Sequence, residues 1–130
     1  MIKSTQELKK EVEKLKGSLM IKSIQVLHES AMDKAYMAVM KKGQGDTDAS
    51  EILFEEAFNL EKHAAIRAKK EKIGEPSESI FLKSAACLAI DCRKYQEAQL
   101  LVLLALSGNI TERTIKEELD ELLETIESFL

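Results

Sequence analysis

Histidines close to carboxylates are where catalysis or metal binding would begin, and this chain offers two places to look. His28-Glu29 and Glu61-Lys62-His63 both fall in stretches of helical periodicity. A helical di-iron site needs Glu and His three apart on two helices. Neither group has that spacing, and adjacent residues on a helix diverge by about 100°. The His-Glu-x-x-His pattern of zinc hydrolases is absent too. Glu55-Glu56 and Glu117-Glu118 are paired carboxylates, but both sit in runs of surface charge, so a solvated helix face accounts for them. Gly43 and Gly45 lack the preceding strand and the following lysine-serine pair of a phosphate-binding loop. No serine-nucleophile signature occurs, and nothing is placed to activate a nucleophile or stabilise a developing charge. The sequence implies no catalytic residue, no metal and no cofactor, and predicts a protein that is not an enzyme.

Softer chemistry remains. Cys87 and Cys92 are the only cysteines. On one helix they point in different directions and cannot pair with each other, so both are expected to be buried thiols. Met32, Met37 and Met40 gather near Tyr36. Thioethers suit irregular core gaps and adaptable binding surfaces alike; the core is the expected place here and a binding surface the alternative. Arg67, Lys69, Lys70 and Lys72 form a basic cluster. Facing a helix C-terminus explains it, with an anion contact as the alternative.

The elements that carry these residues are helical throughout. The chain has 130 residues, 45% of them hydrophobic and 32% charged, with one proline and no tryptophan. This composition suits one ordered domain, and the missing alternation of β-branched residues argues for an all-α chain. The net charge of −4 gives no electrostatic reason to expect a nucleic-acid partner. The longest apolar run, Leu100 to Leu106, is far too short to span a bilayer, and the charged N-terminus does not read as a signal segment. A cytoplasmic protein without membrane contact is the expectation.

Ser4 and Glu7 are spaced as a capping box opening a first helix. Leu8, Val12, Leu15 and Leu19 then follow a four-three-four spacing flanked by charge, a narrow coiled-coil-like seam. Either this helix packs on its own domain or the seam joins a homodimer. Gly17-Ser18 reads as a break, dividing an N-terminal helix or extension, 1–17, from a first hairpin, 18–72. Gly43 to Asp46 is the clearest loop, and Asp48 with Glu51 reads as the next cap. Ile73-Gly74-Glu75-Pro76 ends that hairpin. A second hairpin covers 77–107, capped by Ser77 or Ser79 and closed by Gly108-Asn109 as a left-handed terminus. A final helix, 111–129, starts at Thr111 or Thr114, where Thr114 and Glu117 are spaced as a capping box. It is apolar on one face and acidic on the other, which suits the end of a stack.

The second hairpin carries the most information. Phe81, Leu82, Ala85, Ala86, Leu88, Ala89 and Ile90 cover most of a helix circumference, so that helix should be buried on several sides. Ala86 sits midway along it; Ala98 and Ala105 recur two turns apart on the next helix, and Tyr95 reopens the apolar pattern after the turn. In these positions the segment resembles a tetratricopeptide-type helix hairpin, with Arg93 where the family has a turn glycine and Leu82 where it has a large aromatic. Ala38 and Ser50 would be the matching small residues of the first hairpin. What the resemblance implies is an array of antiparallel hairpins stacked in a right-handed sense with a C-terminal capping helix. It further implies a non-catalytic adaptor or scaffold that takes a protein or peptide on a surface lined by the first helix of each hairpin. Tyr36, Met40, Lys83 and Asp91 are the contact residues expected on that surface. The alternative is a structural protein that self-associates as a homodimer through Leu8, Val12, Leu15 and Leu19.

Overall fold

The computed structural model describes residues 2–130 as helices joined by short turns. Met1 of the 1–17 segment lies outside them. The helices are α1 (Thr5–Gly43), α2 (Thr47–Lys70), α3 (Ser77–Asp91), α4 (Tyr95–Leu106) and α5 (Arg113–Glu127). Each packs on the next in chain order, and α3 also touches α5. The chain is all-α, and its packing is that of stacked hairpins.

The N-terminal capping box forms as its spacing predicts. Ser4 Oγ accepts from the Glu7 N–H at 3.2 Å, and the Glu7 carboxylate accepts from the Ser4 N–H at 3.3 Å. The expected break at Gly17-Ser18 does not occur, because α1 continues through it for 39 residues. A Cβ on Gly17 would meet nothing within 4 Å, so this glycine weakens the helix without being required by it. Since α2 has 24 residues, α1 outruns its partner by about 22 Å at 1.5 Å per residue. Leu8, Val12, Leu15 and Leu19 lie in that overhang and are all exposed. The expectation that this stretch packs on its own domain is therefore overturned.

Three helices end in the same way. At the end of α1, Asp46 N–H reaches Lys41 O and Gly45 N–H reaches Lys42 O. After α2, Ile73 and Lys72 repeat the pattern on Ala68 and Lys69; after α3, Lys94 and Arg93 repeat it on Ala89 and Ile90. This is the Schellman arrangement, which needs a left-handed residue just past the helix. Gly45 supplies it at φ 81°, Lys72 at φ 53° and Arg93 at φ 60°. Several expected caps are corrected. Asp46, not Asp48, caps α2; Pro76 precedes α3 with no side-chain cap from Ser77 or Ser79. Residue Glu112 precedes α5, where Arg113 bonds Glu117 instead of a Thr114 box forming. Gly108-Asn109 supplies no left-handed residue. A Cβ on Gly108 would stand 2.9 Å from the mobile end of Lys69, which can move aside, and 3.3 Å from the Ala105 carbonyl, a tight contact.

The core is rich in alanine. Ala86, Ala98 and Ala105 are buried in it together with Leu82, Leu101 and Val102. Methyl-sized contacts let α3 and α4 approach closely. In the first hairpin Ala38 is buried, and Ser50 Oγ donates to its carbonyl at 2.8 Å, so the two small residues expected to meet do meet. A second, smaller cluster of Ile24, Ala64 and Ala68 sits toward the other end of α2. Phe81 packs against both clusters. At the C-terminal edge, Phe129 stacks on Tyr95 with ring centroids 4.5 Å apart, holding the end of the chain against the start of α4.

Candidate functional site

The strongest chemistry in the interior joins residues that their spacing had not brought together. Glu61 is wholly buried, and its two carboxylate oxygens lie 2.7 and 2.9 Å from His28 Nδ1. The Phe81 ring meets the imidazole edge-on at 5.1 Å between centroids. Burial raises the Glu61 carboxyl above its ordinary range; a hydrogen bond with Ser84 and the proximity of His28 oppose that rise. One polar pair thus ties α1 to α2 where α3 covers them. Such a carboxylate fixes an imidazole's orientation, but the ring has no third ligating side chain to act with. Among the described residues no three His, Cys, Asp or Glu side chains gather as a metal set. The pair is a lock between helices. Its sequence signal was available in part: Glu61 stands on the stripe Ala57, Glu61, Ala64, Ala68, where a charge demands a partner.

A cleft of about 380 Å³ opens where α1 and α3 end and α2 begins, with Lys42, Phe54, Glu55, Asp91, Cys92 and Arg93 among its walls. Burial raises the Asp91 carboxyl, and Lys42 partly offsets this. Lys94 bridges to Glu55 at 3.2 Å; the hydrogen bond to that carboxylate pushes the ammonium pKa up. The Cys92 thiol is pushed up to about 11, chiefly by burial and then by the charge of Glu55. A thiol held in that state is a poor nucleophile at neutral pH. The expectation that both cysteines are buried fails. Cys87 is exposed and Cys92 half-buried, because Cys87 falls on the outward stripe of α3 with Lys83 and Asp91 at helical spacing.

Of the four expected contact residues, Asp91 lines the cleft. Tyr36 and Met40 stand one turn apart on α1 and are exposed, outside the cleft walls. Lys83 is half-buried and ion-paired with Glu118 of α5, so it serves the α3–α5 contact as well as facing outward. The methionines divide between the two readings: Met32 packs on the main core, whereas Met37 and Met40 are exposed. Val39 is exposed beside them, an apolar surface residue to which the sequence pattern gave no weight. The basic cluster closes α2 as expected, with Arg67, Lys69 and Lys70 in its last turn. No helix among the described residues is long and apolar enough to cross a membrane. No protein-family model, no curated protein and no solved structure matches the chain.

Proposed function

We propose that the protein is a non-catalytic interaction module, an adaptor or scaffold built on tetratricopeptide-like hairpins, that takes a protein or peptide on the face shared by α1 and α3. The observation that carries this reading is the run Tyr36, Met37, Val39 and Met40. All four are exposed on the last turns of α1, beside a helix pair whose small residues are spent on packing. Contiguous apolar surface next to polar groups is what a binding face requires, and methionine adapts to a partner's shape at low cost. Lys83 and Asp91 on α3 supply the polar part. The hairpin likeness draws support from the buried Ala86, Ala98 and Ala105 and from the left-handed backbone at Arg93, the position where the family has a glycine. Two free thiols suit a reducing, cytoplasmic setting.

The test is affinity capture of partners by wild-type protein and by a Tyr36→Ala, Met40→Ala, Asp91→Ala triple variant. A Leu100→Ala control carries a change on exposed α4 surface away from this face. The triple variant should lose a partner that the control retains, with unchanged helical circular dichroism. Equal recovery by all three proteins refutes the contact face.

A further inference from the structure

The overhang of α1 presents a surface that its own fold leaves uncovered. Leu8, Val12, Leu15 and Leu19 are 50%, 48%, 63% and 65% exposed. They recur at the two alternating seam positions of a heptad. At about 100° per residue they fall within a stripe roughly 60° wide. The residues that α1 buries against the body, Ile24, Ala31 and Ala38, lie on the opposite side, about 120–160° around the same helix. A second helix laid on the seam would therefore meet no part of the folded body.

We propose that residues 5–19 of α1 pair with the same segment of a second copy of this chain, parallel and in register. Charge selects that arrangement, and side-chain type accords with it. Val12 and Leu19 stand at the first seam position and Leu8 and Leu15 at the second; β-branched Val12 between two second-position leucines accords with two parallel strands. The residues flanking the seam are Lys9 and Lys16 on one side and Glu11 on the other. In a parallel pair each flanking residue faces the one five positions on in its partner. Glu11 then meets Lys16 of the second copy, twice by symmetry. In an antiparallel pair with the same apolar layers, Lys9 would face Lys16 and repel it. Within one chain Glu11 bonds Lys3, and Lys16 lies 3.7 Å from Glu13; both are exposed, exchangeable pairs. The seam also has an end. Lys22 follows Leu19, and after Val26 the next seam positions are Glu29 and Asp33. Like charges would face one another there and part the helices. Tyr36 and Met40 would stay uncovered, so this pairing and the proposed partner face are independent.

Sedimentation of the full chain from roughly 1 μM to 1 mM should show a reversible dimer. A monomer across that range overturns the pairing. The double variant L8E/L15E, altered only at exposed positions, should be monomeric with unchanged helicity; a surviving dimer overturns the seam. Two further variants read the orientation. Lys16→Glu places a second carboxylate against Glu11 in the parallel pair and should loosen the dimer about tenfold, with E11K/K16E restoring it. In an antiparallel pair Lys16→Glu would instead tighten it, facing Lys9. Val12→Cys, in a chain whose Cys87 and Cys92 are replaced by serine, should form a covalent dimer on mild oxidation. A dimer that Lys16→Glu tightens and that Val12→Cys does not link overturns the parallel register.

Discussion

Replacing Glu61 by alanine should cost the protein about 3 kcal/mol of stability. The side chain is wholly buried, so its loss opens a cavity. The loss also strands His28, whose ring nitrogen lies 2.7 Å from the carboxylate. Removing one member of a buried pair costs about 3–5 kcal/mol when the pair is charged. The lower figure applies because the His28 side chain keeps 31% of its exposure and can turn its ring nitrogen to water. For a domain of this size the melting temperature should fall by roughly 10 °C.

Glutamine at the same position separates charge from shape. Burial raises the Glu61 carboxyl above its ordinary 4.5 in the folded protein, so the folded state holds that proton more tightly than the unfolded chain. The resulting stability is complete below the unfolded pKa and is lost as pH rises through the folded one. The glutamine amide carries no such proton. The deficit of Glu61→Gln relative to wild type should therefore be largest below about pH 4 and should narrow as pH rises through the folded pKa. Urea or thermal melts followed by circular dichroism across that interval measure it. A deficit that widens with rising pH would show that His28 holds Glu61 ionised against its burial, the opposite of the protonation argued here.

Two kinds of surface substitution test the helix ends and the overhang. Arg93→Gly should stabilise the protein by roughly 0.5–1 kcal/mol in denaturant melts. Its φ of 60° strains a side-chain-bearing residue by about 1–2 kcal/mol, and the greater freedom of glycine in the unfolded chain offsets part of the gain. Gly17→Ala and Gly108→Ala should move in opposite directions. The first meets no neighbour and removes a helix-weakening residue, so amide exchange across residues 5–19 should slow by a factor of about 3–5, equivalent to roughly 0.8 kcal/mol. The second moves the mobile end of Lys69 at little cost but crowds the Ala105 carbonyl, lowering global stability by roughly 0.5 kcal/mol.

The hairpin of α3 and α4 was legible because methyl-sized residues mark where two helices cross, and Ala86, Ala98 and Ala105 are all buried as their spacing implies. Ser4 with Glu7 was legible because a capping box is local. Helix ends that rely on backbone geometry were less so. Lys72 and Arg93 take the left-handed conformation that composition assigns to glycine, and Gly108, which composition assigns to that conformation, does not take it. Gly17 misled for a related reason. A single glycine costs a helix about 1 kcal/mol, too little to break one 39 residues long. His28 and Glu61 escaped because their contact is tertiary: 33 residues separate them, and no local rule couples such positions. Cys87 escaped because cysteine's preference for burial outweighed its place on the stripe Lys83, Cys87, Asp91, whose charged members mark the outer side of α3.

The length of α1 carries its own inference. Closing the first hairpin needs a helix about as long as the 24 residues of α2, yet α1 has 39. Ordering the extra turns costs about 1–2 kcal/mol of backbone entropy per residue, recovered in part by helical hydrogen bonds and by the capping box at Ser4. An overhang maintained for the fold alone would be best served by charged residues at Leu8, Val12, Leu15 and Leu19, since none of the four is buried by the body. Lysine or glutamate there would keep the helix, raise solubility and leave every intramolecular contact of the core in place. Four apolar residues confined to one stripe, with Gly17 and the flanking charges off it, are accounted for by the pairing proposed above, which would bury that stripe. The body of the protein packs on the other side of α1, against Ile24, Ala31 and Ala38, and leaves that stripe uncovered.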